Sequence, residues 1–591
     1  MKPKLLLLTL PLLAGTSSAQ LTAADFLLGD LFRISNNGPV GDSGPYATFP
    51  KLAYNSTQDE YLVTWYGTVD GGGFSAQQQV YARRIDAATG TPLGADFMVS
   101  FLDGLEEDSF GCRDAAVACS ALDDRYLIVF AGYGVVGPNV QDREIWGQFV
   151  DGATGALQGS NFQISTMGAI PGAVGSDALD PDIVYNAQDE ESFVTWYGLD
   201  GEPDSQTFDL EVYGQRLSGA GLEIGADDFQ ISQVTNPPVA GDDSIDACVE
   251  WSPEEDVYLV AWRIDNPNLI DPEVHVRRYD ADGVALGGPV QISDGSLFTL
   301  NPALAYNPDQ REFLVAWEGR VGSDVEIRVQ RIDAATGAQL GADDLQISTV
   351  DVGPFDQGGR NASAAYCAQR GLYLVVIDGD PLVGFDYAEE IYGQWLEGAS
   401  GSEVGEDDFL VTSVGPEGDE NYMAILPDVA VRGDTAEVLV VCRAETLVAP
   451  LVLDESEIHG QRMLAPLPAQ EVVRLGTPPN PNVLLPGQTN GPLLGTTWDP
   501  VVDHTSFLPN AQLDVLGLHV QPLELPSNIG TSLAAPAGNS IYLTAPAGVP
   551  FASPTPIQFN LIGLQLVAQA ASIDGTQVQL TNALDLTLGT E

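Results

Sequence analysis

The chain has 591 residues, 44% of them apolar, and a formal net charge of −60. That is room for several ordinary domains, or for one large repeat domain with a smaller companion, and the 63 Gly and 39 Pro favour many turns over long helices. Lysine occurs only at Lys2, Lys4 and Lys51, and from Gly476 onward there is neither Lys nor Arg; such a surface repels nucleic acid and anionic membranes, whose phosphates need basic clusters. It suits a saline exterior that screens the repulsion, or the binding of divalent cations.

Residues 1–19 read as a secretory signal, with Lys2 and Lys4 before the apolar run Leu5–Ala14 and a small-residue site that puts cleavage between Ala19 and Gln20. The run is too short to span a bilayer, and no later one is long enough. The expected location is secreted or cell-surface.

Next comes ADFLLGDLFRIS, ending at Ser35, which copies the last part of a phrase repeated along most of the chain. A clear copy of the whole phrase is NPALAYNPDQREFLVAWEGRVGSDVEIRVQRIDAATGAQLGADDLQIS, Asn301 to Ser348. Anchored on its closing Ile-Ser, the phrase recurs at Ile34, Val99, Ile164, Ile231, Ile292, Ile347 and Val411, with a degenerate copy at Val473. Each unit holds four β-branched or aromatic runs of period two, such as Lys51–Asn55, Tyr61–Trp65, Val80–Ile85 and Asp96–Ser100. Denoted A to D, they read as strands. Repeats of this kind must stack to bury their apolar faces, and four strands per unit match the blades of a β-propeller.

The second run ends at Trp65, Phe130, Trp196, Trp262, Trp317, Ile377 and Cys442, and eleven residues before each stand Tyr54, Cys119, Tyr185, Trp251, Tyr306, Tyr366 and Val431. Large residues at fixed places are what packing between blades requires. Cys119 and Cys442 therefore read as small core residues, while export makes a Cys112–Cys119 disulfide possible. A ring needs closure, and the orphan strand Phe26–Ser35 is expected to complete the seventh unit and hide its edge.

After Leu475 the repeat stops at a Pro/Gly-rich passage, and Leu513–Val520, Ser540–Ala545, Ile557–Val567 and Gln577–Leu588 read as strands of a separate domain. The expected fold is all-β: a seven-bladed β-propeller of four-stranded blades over 24–475, closed by strand 26–35, then a small C-terminal β-sandwich over 479–591. The units run at about 36–100, 101–165, 166–232, 233–293, 294–348, 349–413 and 414–475.

The units AYN…EYLV-W…YGQR…LG--F-IS resemble repeats of large exported proteins of environmental, often marine, bacteria, which are taken to be β-propellers. The tail, with GTTWDPVVDHTSFLPNAQLDVLGL and LTNALDLTLG, is similar to a C-terminal β-domain on other such proteins. The resemblance implies the fold and no single activity. The sialidase-type Asp box and the tryptophan-aspartate signature of WD40 repeats are absent.

The A–B and C–D turns are short and alike, whereas the D–A and B–C loops, which share the other face, vary. Variable loops on a rigid scaffold suggest a recognition face. Its acidic candidates are Asp103, Glu106, Asp108, Asp242, Asp243, Glu417 and Asp419 in D–A loops, and Asp200, Asp204, Asp378, Asp380 and Asp386 in B–C loops. Carboxylates are natural Ca²⁺ ligands, though no complete calcium loop occurs, and Tyr66, Tyr133 and Tyr197 are candidates to stack on sugar rings. The four histidines match no metal spacing, no nucleophile motif accompanies Asp503-His504, and no GxSxG, HExxH or P-loop is present. The expectation is a non-enzymatic binding or surface-assembly protein that recognises an extracellular polysaccharide or surface protein, with calcium possible. The alternatives are a carbohydrate-active hydrolase or lyase using loop-face carboxylates near a central channel, and a structural surface or matrix protein.

Overall fold

A computed structural model describes residues 26–590 except 38–45, 69–77, 103–110, 134–142, 168–176, 200–209, 233–242, 266–271, 295–297, 322–323, 351–357, 381–387, 417–418, 420, 434, 447–450, 452–454, 490, 536–539 and 556–560. The described chain is all-β and falls into two compact units, Phe26–Ala465 and Pro466 onward.

The first unit is a repeat-built β-propeller of antiparallel sheets, seven of them four-stranded. Their A strands are Tyr46–Asn55, Arg113–Ser120, Ala178–Asn186, Asp243–Ser252, Phe298–Asn307, Arg360–Cys367 and Met423–Val431. Each packs on the next in chain order, and the seventh packs on the first. Between sheets lie the repeated aromatics: Trp65, Trp196, Trp262, Trp317 and Phe130 are fully buried. Each such burial contributes about 1.5–3 kcal/mol by the transfer scale.

Six sheets take their four strands from one stretch of chain. The seventh, Met423–Val431, Glu437–Glu445 and Ser456–Leu464, receives its fourth from the N-terminus. Phe32 and Arg33 pair with Gly460 and His459, and Leu27 bridges to Met463.

Hydrogen bonds explain why the repeated phrase closes on Ile-Ser. The side-chain oxygens of Ser35, Ser100, Ser165, Ser232, Ser293, Ser348 and Thr412 accept the amides of Ile458, Val80, Ile145, Val212, Val274, Ile327 and Ile391 at 2.7–3.0 Å. Five of these hydroxyls also donate to a buried or half-buried glutamate of the same sheet: Glu457, Glu144, Glu211, Glu326 and Glu390. The acidic phrase before Ile-Ser clamps one sheet to the previous one. Asp96, Asp228 and Asp344 accept the amides of Asn36, Thr166 and Asp294 at 3.0, 2.8 and 2.7 Å.

The A strands begin earlier than their alternation suggests, because each holds a bulge. In the first sheet the register slips between Thr48 and Lys51, and the extra residue breaks the period of two. The residue at the bulge has positive φ in every A strand: Phe49 (51°), Asp114 (53°), Asp180 (53°), Asp246 (56°), Asn301 (47°), Asn361 (50°) and Leu426 (55°). Asp and Asn tolerate this left-handed conformation best among residues with a side chain, and five of the seven are Asp or Asn.

All five cysteines are free. Cys112 and Cys119 lie at opposite ends of one extended segment around strand Arg113–Ser120. At ~3.3 Å per residue they are about 23 Å apart, far beyond the roughly 7 Å a disulfide spans, so the bridge considered from sequence does not form.

The second unit has a five-stranded sheet in the order Gln470–Arg474, Val578–Thr587, Gln565–Ile573, Leu513–His519, Ile541–Pro546. Trp498, Leu516, Phe551, Ala568 and Leu584 fill its core. Two expectations shift here. Val473 is paired with Leu584 in this sheet rather than closing a propeller unit, since the N-terminal strand already fills that edge. Of the run expected at Ile557–Val567, residues 557–560 lie outside the described residues, and the strand found there is Gln565–Ile573.

Candidate active site

The seven A strands line a cavity of about 350 Å³. Its wall includes the bulge residues Phe49, Asp180, Asp246, Asn301, Asn361 and Leu426, and two residues further along Lys51, Asp182, Cys248, Ser363 and Asp428. The bulge tips each side chain at the left-handed position out of the pleat, which is how a strand otherwise committed to packing presents a polar group to the channel.

The deeper carboxylates are tied into the scaffold. Asp182 accepts the amide of Val249 at 2.9 Å, joining the third sheet to the fourth. Asp428 accepts the amide of Leu52 at 2.9 Å and the Ser363 hydroxyl at 2.8 Å, joining the seventh sheet to the first and sixth. Lys51, the only lysine beyond residue 4, lies 3.8 Å from Asp428, whose charge raises its pKa, and Asp182 and Asp180 add to that effect. It stays cationic.

Asp180 differs from these. Its side chain is open to the channel, and no hydrogen bond reaches its carboxyl from the described residues. The enclosing wall, with the Asp114 charge beside it, pushes its pKa up to about 7 against the opposing pull of Lys51. Its neighbours on the ring are ion-paired: Asp114 to Arg113 at 2.9 Å and Asp246 to Arg263 at 3.3 Å. Burial raises Asp246 to about 6 although Arg263 pulls it down. Tyr197 stands within electrostatic reach of Asp180, Asp246 and Asp114. On the fifth and sixth sheets Glu318 is bonded by Asn301 at 2.6 Å and by the Asn361 amide at 2.9 Å, and Asp378, 1% exposed, is raised by burial to about 7.

The sequence candidates are only partly brought together. Asp378 is buried against Asn361, not displayed on a rim, and Asp380 is buried too. Asp243 accepts the Leu210 amide at 2.9 Å and so braces the fourth sheet against the third. Asp419 caps a local turn through the Asn421 amide at 3.2 Å. Tyr66 is buried behind Phe49, with ring centroids 5.5 Å apart and planes 15° apart, and Tyr133 is covered by the Arg143 guanidinium, 4.6 Å from its centroid. Tyr66 and Tyr197 both stand within electrostatic reach of Asp114 and Asp180. Asp103, Glu106, Asp108, Asp200, Asp204, Asp242, Asp386 and Glu417, like the Ala19–Gln20 cleavage site, lie outside the described residues. Among the described residues no group of three or more His, Cys, Asp or Glu is placed to hold a metal ion.

Sequence reading missed Phe49, Asp114, Asp180 and Asp246. Their signal was present as the variable residue before Pro or Ala in FPKLAYN, DAAVACS, DPDIVYN and DACVEWS. The histidines stay out of the channel chemistry. His275 and His459 are buried, which lowers each to about 4. His504 pairs with Asp514 at 3.0 Å, while its sequence neighbour Asp503 caps Thr505.

No helix among the described residues is long and apolar enough to cross a membrane. No family model and no curated protein matches the chain. Among solved structures it is similar to the β-propeller domain of the Trilobed protease from Pyrococcus furiosus (10% identity, 71% of this chain and 93% of that one, TM-score 0.37). It is also similar to a polysaccharide lyase described as an ulvan lyase (9%, 73% and 96%, 0.44) and to Trypanosoma rangeli sialidase (8%, 97% and 91%, 0.37). A sialidase and a polysaccharide lyase stand among these neighbours, which corrects the expectation of a non-enzymatic binding or surface-assembly protein; the likeness itself is one of fold.

Proposed function

We propose that this chain is an exported carbohydrate-active enzyme, a seven-bladed β-propeller with a C-terminal β-sandwich, that hydrolyses glycosidic bonds of a neutral extracellular polysaccharide in its central channel. The observation that carries this reading is the contrast between Asp180 and its neighbours. Glycoside hydrolysis needs one carboxylic acid to protonate the leaving oxygen and one carboxylate to act as base or nucleophile. Such roles fall to carboxyls whose environments set their proton affinities apart. Asp180, without a hydrogen bond and raised to about 7, keeps its proton near neutrality. Asp246, held by Arg263, is raised less, to about 6.

Hydrolysis is favoured over β-elimination by charge. A lyase removes a proton next to a uronate carboxylate and must neutralise that carboxylate with cations. Here, with Asp180 protonated, Asp114, Asp182, Asp246 and Asp428 still outnumber Lys51, Arg113 and Arg263, so an anionic sugar meets net repulsion.

The test is to incubate the protein with neutral and uronate-containing polysaccharides, measuring new reducing ends and, separately, ultraviolet absorbance from unsaturated products. Reducing ends from a neutral polysaccharide, lost by about 10²-fold or more in Asp180→Asn, support the reading. Unsaturated products, or release that survives Asp180→Asn, overturn it.

A further inference from the structure

Phe49 is out of place twice over. Five of the seven A strands put Asp or Asn at the left-handed bulge position, and Phe49 holds the same conformation at φ 51°. A bulky side chain there stores backbone strain. Phe49 is also 44% exposed, on the wall of the channel cavity. Core packing does not account for either feature. The ring stacks on Tyr66, which is itself buried and fixes the plane of the pair. Tyr66 in turn lies within electrostatic reach of Asp114, Arg113 and Asp180. One face of Phe49 is thus backed by a second ring, and Phe49 lines the same cavity as the carboxyl proposed as the acid.

We propose that Phe49 is the specificity platform of the channel: it stacks on the apolar C–H face of a neutral pyranose ring and seats that sugar next to Asp180. An aromatic face carries negative quadrupole charge that attracts C–H edges, it needs no hydrogen-bond partner, and the acidic wall around it disfavours uronate or sulfated rings. The proposal rests on the glycoside-hydrolase reading above and adds to it where the sugar sits and which face it presents.

The experiment uses the full chain and three proteins: wild type, Phe49→Asn and Phe49→Tyr. Binding of cello-, xylo- and manno-oligosaccharides is measured by calorimetry, KM and kcat on the hydrolysed polysaccharide by reducing-end release, and melting temperature alongside. Phe49→Asn installs the residue type the other A strands carry, so it is expected to melt at or above wild type while KM and Kd rise about tenfold. Phe49→Tyr keeps the ring and is expected to retain wild-type affinity. Unchanged KM and Kd in Phe49→Asn overturn the platform and leave the hydrolase reading standing. Equal losses in Phe49→Asn and Phe49→Tyr also overturn it, since the ring would then be only a structural element. A wild-type protein that neither binds nor cleaves any of these saccharides overturns the platform together with the reading beneath it.

Discussion

Arg33 and Glu457 form an ion pair across 424 positions of sequence, with the Glu457 side chain 1% exposed and Arg33 20%. Glu457 also accepts the Ser35 hydroxyl and the Asn37 amide, the latter at 3.1 Å. The N-terminal strand therefore brings the charge partner of a buried carboxylate as well as completing a sheet. Removing that partner leaves the carboxylate buried and uncompensated, a change that costs about 3–5 kcal/mol. Arg33→Met should unfold at markedly lower temperature than wild type, and deletion of 26–35 should lower stability further by exposing the edge of the seventh sheet. A truncated protein that melts with the full chain would show that the ring closes without this strand.

Asp180 makes opposite demands on activity and stability. Unfolded, its carboxyl titrates near the ordinary value of about 3.9; folded, it is raised to about 7. Between those values the folded state holds a proton that the unfolded state has released, so this group weakens folding as pH climbs through the window. Asp180→Asn removes that penalty. The variant is expected to be inactive yet to gain melting temperature over wild type at pH about 8, with the gain vanishing near pH about 3. Wild-type kcat/KM should rise as Asp246 ionises near about 6 and fall as Asp180 loses its proton near about 7. A pH profile flat across that range would remove Asp180 from the acid role.

The fold was far more legible in the sequence than the site. Trp65, Trp196, Trp262 and Trp317 announce the core because packing between sheets repeats in every unit, and repetition is what a single sequence can display. The closing Ile-Ser shows for the same reason: each hydroxyl serves the same amide in its own sheet. The channel residues repeat fully only in backbone conformation. Five of the seven bulge residues are Asp or Asn, but Phe49 and Leu426 break that pattern, so side-chain type marks the common position only in part. Loop length drew attention to the rim, whereas the carboxyls that meet stand at the start of the A strands. Asp243 and Asp419, acidic and in the loops, turned out to satisfy backbone amides.

Glu191 and Arg216 pair at the end of the third sheet away from its bulge. Arg216 bonds both carboxylate oxygens at 2.7 and 2.9 Å, and the Tyr258 hydroxyl reaches Oε1 at 3.2 Å. Glu60–Arg84 and Glu312–Arg331 repeat the arrangement in the first and fifth sheets. Arg216→Met should cost about 3–5 kcal/mol by stranding Glu191, while Glu191→Met with Arg216→Met should recover most of that loss. If the double variant is as unstable as the single one, the pair contributes through its own bonding and not through the penalty of a stranded charge.

The last histidine pair gives the C-terminal unit its own pH dependence. His504 donates from Nε2 to Asp514, a fully buried carboxylate, at 3.0 Å, and from Nδ1 to the Phe507 carbonyl at 2.7 Å. With both nitrogens donating, the imidazolium is the form that fits. Burial pulls its pKa down, but the Asp514 carboxylate and the two carbonyls of Phe507 and Leu508 outweigh it, and the net shift is upward. A histidine raised on folding adds stability that is complete below its unfolded value of about 6.5 and is lost as pH rises through the folded value. His504→Gln should therefore melt below wild type at pH about 5.5, and the difference should shrink by pH about 8.5. A gap between the two proteins that does not change with pH would mean that His504 acts as a neutral hydrogen-bond donor, with no contribution from its charge.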